Sequence, residues 1–161
     1  MINQMKSFAT LVFLVIILTS SAQLSAQTLN ENEPLHWYVD YDVAKKEAMT
    51  NGKNVMLYFS GSDWCKPCIK LSREILETDT FTKYVSGNFV PVQLDFPKMK
   101  KNRPSKKITL ENEALAEKYN PNGVFPLLVF LDQNEKMIGF TGYSELSPQA
   151  YVAIIEKIIH Q

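Results

Sequence analysis

Residues 54–71 read NVMLYFSGSDWCKPCIKL, a nearly continuous apolar run that breaks at Gly61 and leads into both cysteines of the chain. The stretch NVMLYFS has the composition of a strand buried on both faces. Beyond it, Ile69, Leu71, Ile75 and Leu76 mark a helix that reaches about Glu77. Cys65 therefore falls where a buried strand hands over to a helix, and Cys68 lies one helical turn further on.

Working outward, the acids at the head of DYDVAKKEAMT (residues 40–50) and its helical spacing predict a helix that Asn51-Gly52 stops. Residues 27–39 read as a polar lead in which LHWYV forms a short strand. After the cysteines, a short helix is expected from Thr80 to Ser86, ending at Gly87. The strand FVPVQLDF (89–96) follows, its Pro91 restricted to an edge or to the first turn of the strand. ENEALAEKY (111–119) is a helix, PLLVFLD and KMIGFTGY are strands joined by a turn at Asp132–Glu135, and Pro148 opens a last helix. The order β-α-β-α-β-α-β-β-α predicts an α/β fold in three layers, a mixed central sheet flanked by helices. Strands separated by helices are expected to be parallel, and the last two to form an antiparallel hairpin.

The N-terminus belongs to a different class of segment. Lys6 precedes the apolar run Phe8–Leu18, followed by the small and polar TSSAQLSAQ. Eleven residues suit the h-region of a signal peptide better than a membrane span. Residues 1–26 are read as that signal, with Ala26 at the cut, and residues 40–161 as one domain. A retained anchor is the alternative. Removing Lys6 leaves 16 basic and 17 acidic residues, a balance that points to neither nucleic acid nor an anionic membrane surface. Export, most simply to a periplasm, makes disulfides durable.

Three chemistries compete for the cysteine pair. A structural staple across about four residues yields only about 2 kcal/mol in the chain-entropy model, against about 3 for fifteen. Zinc needs two further ligands, and the chain offers only His36 and His160, both near the ends of the mature domain. Thiol–disulfide exchange fits best. At a helix start the Cys65 sulfur sees free backbone N–H groups and the positive end of the dipole, which favour thiolate. Lys66 adds positive charge and Asp63 opposes it. Cys65, at the exposed end, is the expected nucleophile, and Cys68, a turn deeper, the resolving thiol. Pro67 stiffens the first turn, where a missing N–H costs little. Trp64 supplies flat apolar surface for a docked segment, unless it is ordinary core packing.

The stretches YFSGSDWCKPCIKL, NEALAEKYNPNGVFPLLVFLD and IGFTGY together resemble the thioredoxin-like superfamily, in particular exported members with a GSDWCxxC site, over roughly residues 40–160. The resemblance implies a thioredoxin-like sandwich and a redox disulfide Cys65–Cys68 that needs no other cofactor. It implies a cis peptide before Pro126, which faces the sulfurs and leaves the backbone of Phe125 free to pair with an extended substrate. The partners it implies are protein thiols or disulfides. One departure stands out: many family members carry a buried acid in the strand before the motif, where this chain has Leu57, Tyr58 and Phe59. Resolution by Cys68 should then be slower, unless the Tyr58 hydroxyl or a water takes the proton. Pro67 and the resemblance favour a reductant or isomerase over a strong oxidant. The competing class is a non-catalytic binding module that keeps the dithiol for a partner or metal.

A last feature is PKMKKNRPSKKITL (97–110), read as a loop. Lys98, Lys100, Lys101, Arg103, Lys106 and Lys107 fall within it and no acid does. If the strands 54–60 and 89–96 are parallel, this segment leaves the sheet on the same edge as Cys65 and can select an acidic redox partner.

Overall fold

A computed structural model describes residues 35–160; the expected signal peptide and its cut lie outside them. Four strands form one mixed sheet in the order β2-β1-β3-β4. They are β1 (Asn54–Ser60), β2 (Phe89–Asp95), β3 (Leu127–Leu131) and β4 (Met137–Gly142). The helices are α1 (Tyr41–Asn51), α2 (Lys66–Leu71), α3 (Asp79–Asn88), α4 (Lys106–Tyr119) and α5 (Pro148–Ile159). A π-helical turn, Ser72–Leu76, continues α2.

The central strand explains the layering. Side chains alternate across a strand, so Val55, Leu57 and Phe59 of β1 face one side and Met56 and Tyr58 the other. The first set packs with Ala44 and Ala48 of α1 and Leu115 and Tyr119 of α4. The second packs with Leu71 and Ile75, with Phe81 and Val85 of α3, and with Tyr151 and Ile155 of α5. Both faces are covered, as the unbroken apolar run requires. Helix α5 approaches β4 so closely that a Cβ on Gly139 would lie 2.3 Å from Cγ2 of Ile158.

Helix ends follow local chemistry. Asp40, Thr78, Ser105 and Ser147 each cap a helix by accepting a backbone N–H two or three positions into it. Gly52, at φ 64°, ends α1 in the left-handed conformation. The β3–β4 turn is held by Asp132, whose Oδ1 accepts from the amides of Asn134 and Lys136. Glu135 takes φ 62° there, pinned by Tyr41, Tyr119 and Lys45.

Four expectations need correction. LHWYV is not a strand: it reduces to one bridge, in which the Tyr38 amide donates to Pro91 O and the Gln93 amide to Tyr38 O. Leu35, Trp37 and Tyr38 nevertheless pack on the core. This bridge also shows that Pro91 points its missing donor outward from the edge strand β2. Helix α3 runs through Gly87 to Asn88, because β2 begins at once and the chain simply extends at Phe89. Helix α4 starts five residues earlier than expected, after the Ser105 cap, so residues 106–110 of the basic stretch are helical. Finally, β3 is antiparallel to β1, not parallel.

That last correction positions the site. Ser60 of β1 pairs with Asp95 of β2, and Phe59 with Leu127 of β3. The chain leaves β1, leaves β2 and enters β3 all at one edge of the sheet. The fold predicts a steep cost for opening its centre. Leu128 is fully buried between β1 and β4, so Leu128→Ala should destabilise the domain by about 2–5 kcal/mol in denaturant titration.

Candidate active site

The turn after β1 closes through Gly61, whose carbonyl accepts the amides of Trp64 (3.2 Å) and Cys65 (2.9 Å). Asp95, at the end of β2, holds the turn from outside. Its carboxylate accepts the Ser62 amide at 2.8 Å and the Ser62 hydroxyl at 2.6 Å. With its backbone so fixed, the turn delivers Cys65 to the N-cap position of α2.

Cys65 and Cys68 form a disulfide, with Cα atoms 5.2 Å apart. The Cys68 amide donates to Cys65 Sγ at 3.2 Å, and the Cys65 carbonyl accepts from Cys68 and Ile69. Cys65 was expected to be exposed; in the disulfide it is 4% accessible, against 2% for Cys68. Its sulfur meets its partner and the Cys68 amide. Lys66 and Pro67 follow on the exposed first turn.

Trp64 lies flat on Gly61, so closely that a Cβ there would sit 2.3 Å from the indole. Its ring N–H donates to the Phe96 carbonyl at 2.7 Å, and its ring meets Phe125 edge-on at 5.5 Å. Phe96 also meets Phe125 at 5.5 Å. The Phe125–Pro126 peptide is cis. Trp64 keeps about 37% of its surface exposed, so it is not plain core packing. The strand ends thus bring together Trp64, Phe96 and Phe125 from three separate loops.

Asp63 has an unexpected task. Its carboxylate accepts the Lys98 and Met99 amides, both at 2.9 Å, and the Asn102 side-chain amide at 3.0 Å. It clasps the basic segment to the cysteine turn, and Lys98 Nζ rests 4.6 Å from the Trp64 ring centre. Desolvation by itself would raise the Asp63 pKa, but the three donors outweigh it and hold the carboxyl below the usual range. Lys98, Lys100, Lys101 and Arg103 lie on or beside this clasped stretch, all exposed. Lys106 is exposed at the start of α4, and Lys107 is spent on Asp40, the cap of α1. Lys107 therefore leaves the set of cations free to meet a partner, because α4 begins early enough to turn it away.

Behind Cys68 the Tyr58 hydroxyl donates to the Cys68 carbonyl at 3.2 Å. Burial pushes the Tyr58 pKa far up, so at neutral pH the group stays protonated and is no proton acceptor. A cleft of about 320 Å³ reaches Cys68 from the side, lined among others by Tyr58, Ser60, Ser72 and Glu77. Glu77 is the sole carboxylate on its wall and accepts from Ser72 at 2.8 Å. Such a polar cleft has room for several waters at about 30 Å³ each. On the opposite flank of α2, Lys70 pairs with Glu145 at 2.7 Å. Among the described residues, the one convergent group of three potential metal ligands is Asp40, Asp42 and Glu111, which includes neither cysteine.

Sequence reasoning missed Asp95, Phe96 and the clasp by Asp63. Asp95 and Phe96 read as the tail of a strand, and Asp63 as a charge acting on Cys65; only the level ends of β1 and β2 reveal their roles.

Two measurements test this geometry. Gly61→Ala should push the indole off its seat, seen as a shift in Trp64 fluorescence and a stability loss of roughly 1–3 kcal/mol. A carboxyl whose pKa is lowered on folding contributes stability above its unfolded pKa, lost as pH falls through the lower folded value. The clasp should therefore be intact at neutral pH and release below about pH 4. The Lys98 and Met99 amide resonances should titrate there in the wild type and not in Asp63→Asn.

Residues 41–159 match the family model described as a thioredoxin-like domain. The chain is 30% identical over 140 residues to the disulfide bond reductase DsbH of Chlamydia pneumoniae, covering 84% of this chain and 82% of that protein. It is 32% identical over 138 residues to the thioredoxin-related protein DsbJ of the same organism, covering 85% of this chain but only 37% of DsbJ. The solved structure of a DsbH oxidoreductase superposes with a TM-score of 0.75 at 27% identity, over 89% of this chain and 97% of that one. With its disulfide-forming CxxC at the head of α2, the chain belongs to the thioredoxin-like family, as a thiol–disulfide oxidoreductase whose redox group is its own Cys65–Cys68 pair.

Proposed function

We propose that the protein is exported and works on protein disulfides as a reductant or isomerase, with Cys65 as nucleophile and Cys68 as resolving thiol. The observation that carries this reading is the N-cap placement of Cys65: its sulfur accepts the Cys68 amide and stands at the positive end of α2. In the reduced protein those features favour a thiolate at Cys65.

The Cys65 thiolate attacks one sulfur of the substrate disulfide, and the other sulfur leaves as a thiolate and takes up a proton. Cys68 then gives up its proton and attacks Cys65 Sγ. The substrate's second sulfur leaves and is protonated, and the Cys65–Cys68 bond closes. Two electrons and two protons have passed to the substrate. Water in the cleft beside Cys68, with Glu77 on its wall, receives the proton that Tyr58 cannot. Trp64 and the Phe125–Pro126 corner offer an apolar seat and extended backbone to the substrate segment.

The reducing direction is supported by Pro67 in the first turn of α2 and by the name of the relative DsbH, a disulfide bond reductase. Export, with a periplasm as destination, is supported by the run Phe8–Leu18 and the small residues before Gln27. Among the described residues no helix is long and apolar enough to cross a membrane.

Replacing Cys68 by Ala should leave the first step intact and accumulate a mixed disulfide through Cys65, detected by mass on non-reducing gels. Cys65→Ala should trap nothing. Absence of any trapped species in Cys68→Ala would remove the exchange mechanism and favour a binding module. The reduction potential of the wild type should lie below about −180 mV, whereas a value near −120 mV would mark an oxidant.

A further inference from the structure

The clasp made by Asp63 gives the basic segment a fixed place. Lys98, Lys100, Lys101 and Arg103 are exposed, and none is ion-paired among the described residues. The acid in direct contact with this segment, Asp63, is consumed by three hydrogen-bond donors. Lys98 lies over Trp64, and Met99 is 47% exposed beside it. Trp64, the residue before Cys65, thus carries Lys98 over its ring, and three further exposed cations without an ion pair follow on the same clasped segment, on a chain whose overall charge is balanced.

Cations without an ionic partner, gathered on one short segment, repel one another, and this cost is relieved when an anionic group arrives. We infer that the rim formed by Lys98, Lys100, Lys101 and Arg103 is a docking surface for protein segments that carry acidic residues next to the cysteine being exchanged. The inference rests on the exchange reading above. A protein segment is the occupant because the rim is tied, through Asp63 and Trp64, to the turn that ends in Cys65, where a substrate cysteine has to sit, and because the exposed Trp64 and Met99 offer apolar surface. Asp63 is then a positioning residue: it keeps the cations beside Cys65, and segments with acidic flanks are steered to the nucleophile.

The test uses the reduced full-length mature protein in single-turnover reduction of two synthetic disulfide peptides. The two share the same apolar residues and differ only in flanking glutamates or lysines. Neutral hydroxyethyl disulfide serves as the reference substrate. The glutamate peptide should react about tenfold faster than the lysine peptide at low salt, and the ratio should fall toward one at several hundred millimolar salt. In K100Q/K101Q/R103Q the ratio should fall toward one already at low salt.

Asp63→Ala makes the surface more positive. If bulk charge alone mattered the ratio would rise, whereas loss of the clasp should lower it. A ratio near one in the wild type, or one that survives the triple substitution, overturns the inference. A ratio that rises in Asp63→Ala overturns the positioning role. Rim-dependent binding to phosphatidylglycerol vesicles, with a peptide ratio near one, assigns the rim to a membrane surface and likewise overturns it. Inactivity toward hydroxyethyl disulfide as well as both peptides instead overturns the exchange reading, and with it this inference.

Discussion

The parallel pairing of β1 with β2, which ends level at Ser60 and Asp95, is the constraint on which the site depends. Because the two strands stop together, Asp95 can reach across to the Ser62 amide and hydroxyl and brace the turn that carries the cysteines. For the same reason the Phe96 carbonyl lies where the Trp64 indole can donate to it. The antiparallel return of β3 then brings Phe125–Pro126 to that edge. A slip of one residue between β1 and β2 would turn Met56 and Tyr58 to the other face and break all of these contacts together. Burial on both faces of β1 makes such a slip prohibitive, so the core secures the position of the sulfurs.

The strand before the motif carries no acid, and the Tyr58 hydroxyl lies behind Cys68. A buried carboxylate can take a proton directly; a buried phenol with a raised pKa cannot. Tyr58 instead anchors the first turn of α2 through the Cys68 carbonyl. The carbonyl end of this bond fixes Cys68, and the cleft beside it carries a single carboxylate, Glu77. Ser72, whose hydroxyl binds Glu77, opens the π-helical turn that follows α2. A π turn shifts the side chains after it relative to an unbroken α-helix, and here it carries the chain from Cys68 to Glu77 along one wall of the cleft.

Strong local patterns were legible in the sequence and long-range geometry was not. NVMLYFS reads as a buried strand because apolarity on both faces is a local property, and Pro148 after Ser147 announces α5 for the same reason. Gly87 misleads because a glycine ends a helix only when the chain needs a left-handed turn, and here it runs straight into β2. The basic run 97–110 reads as loop because its charge masks the Ser105 cap; the helix that follows gains its stability from Leu115 and Tyr119 packed on the sheet. The direction of β3 is set by where the chain re-enters the sheet, which alternation of helices and strands does not encode. At the site, the motif singled out the two cysteines, Trp64 and Pro126, and the structure joins the cysteines and makes the Phe125–Pro126 peptide cis. Asp63, Asp95 and Phe96 became visible only once two strand ends were known to be neighbours.

Charge around the cysteines is partitioned rather than pooled. On one flank of α2, Lys70 is neutralised by Glu145 and lies 5.3 Å from the Tyr143 ring centre, so its charge is spent within the fold. Asp63, two residues before Cys65, accepts backbone amides of the segment after β2, so its charge is shared with those donors. The same carboxylate that would have raised the energy of a Cys65 thiolate thereby ties the basic segment to the cysteine turn. Screening at physiological ionic strength confines such effects to within about 8 Å. Only charges fixed near the approaching segment can then influence the encounter, and the clasp, more than a high count of lysines, ties the basic segment to the turn that ends in Cys65.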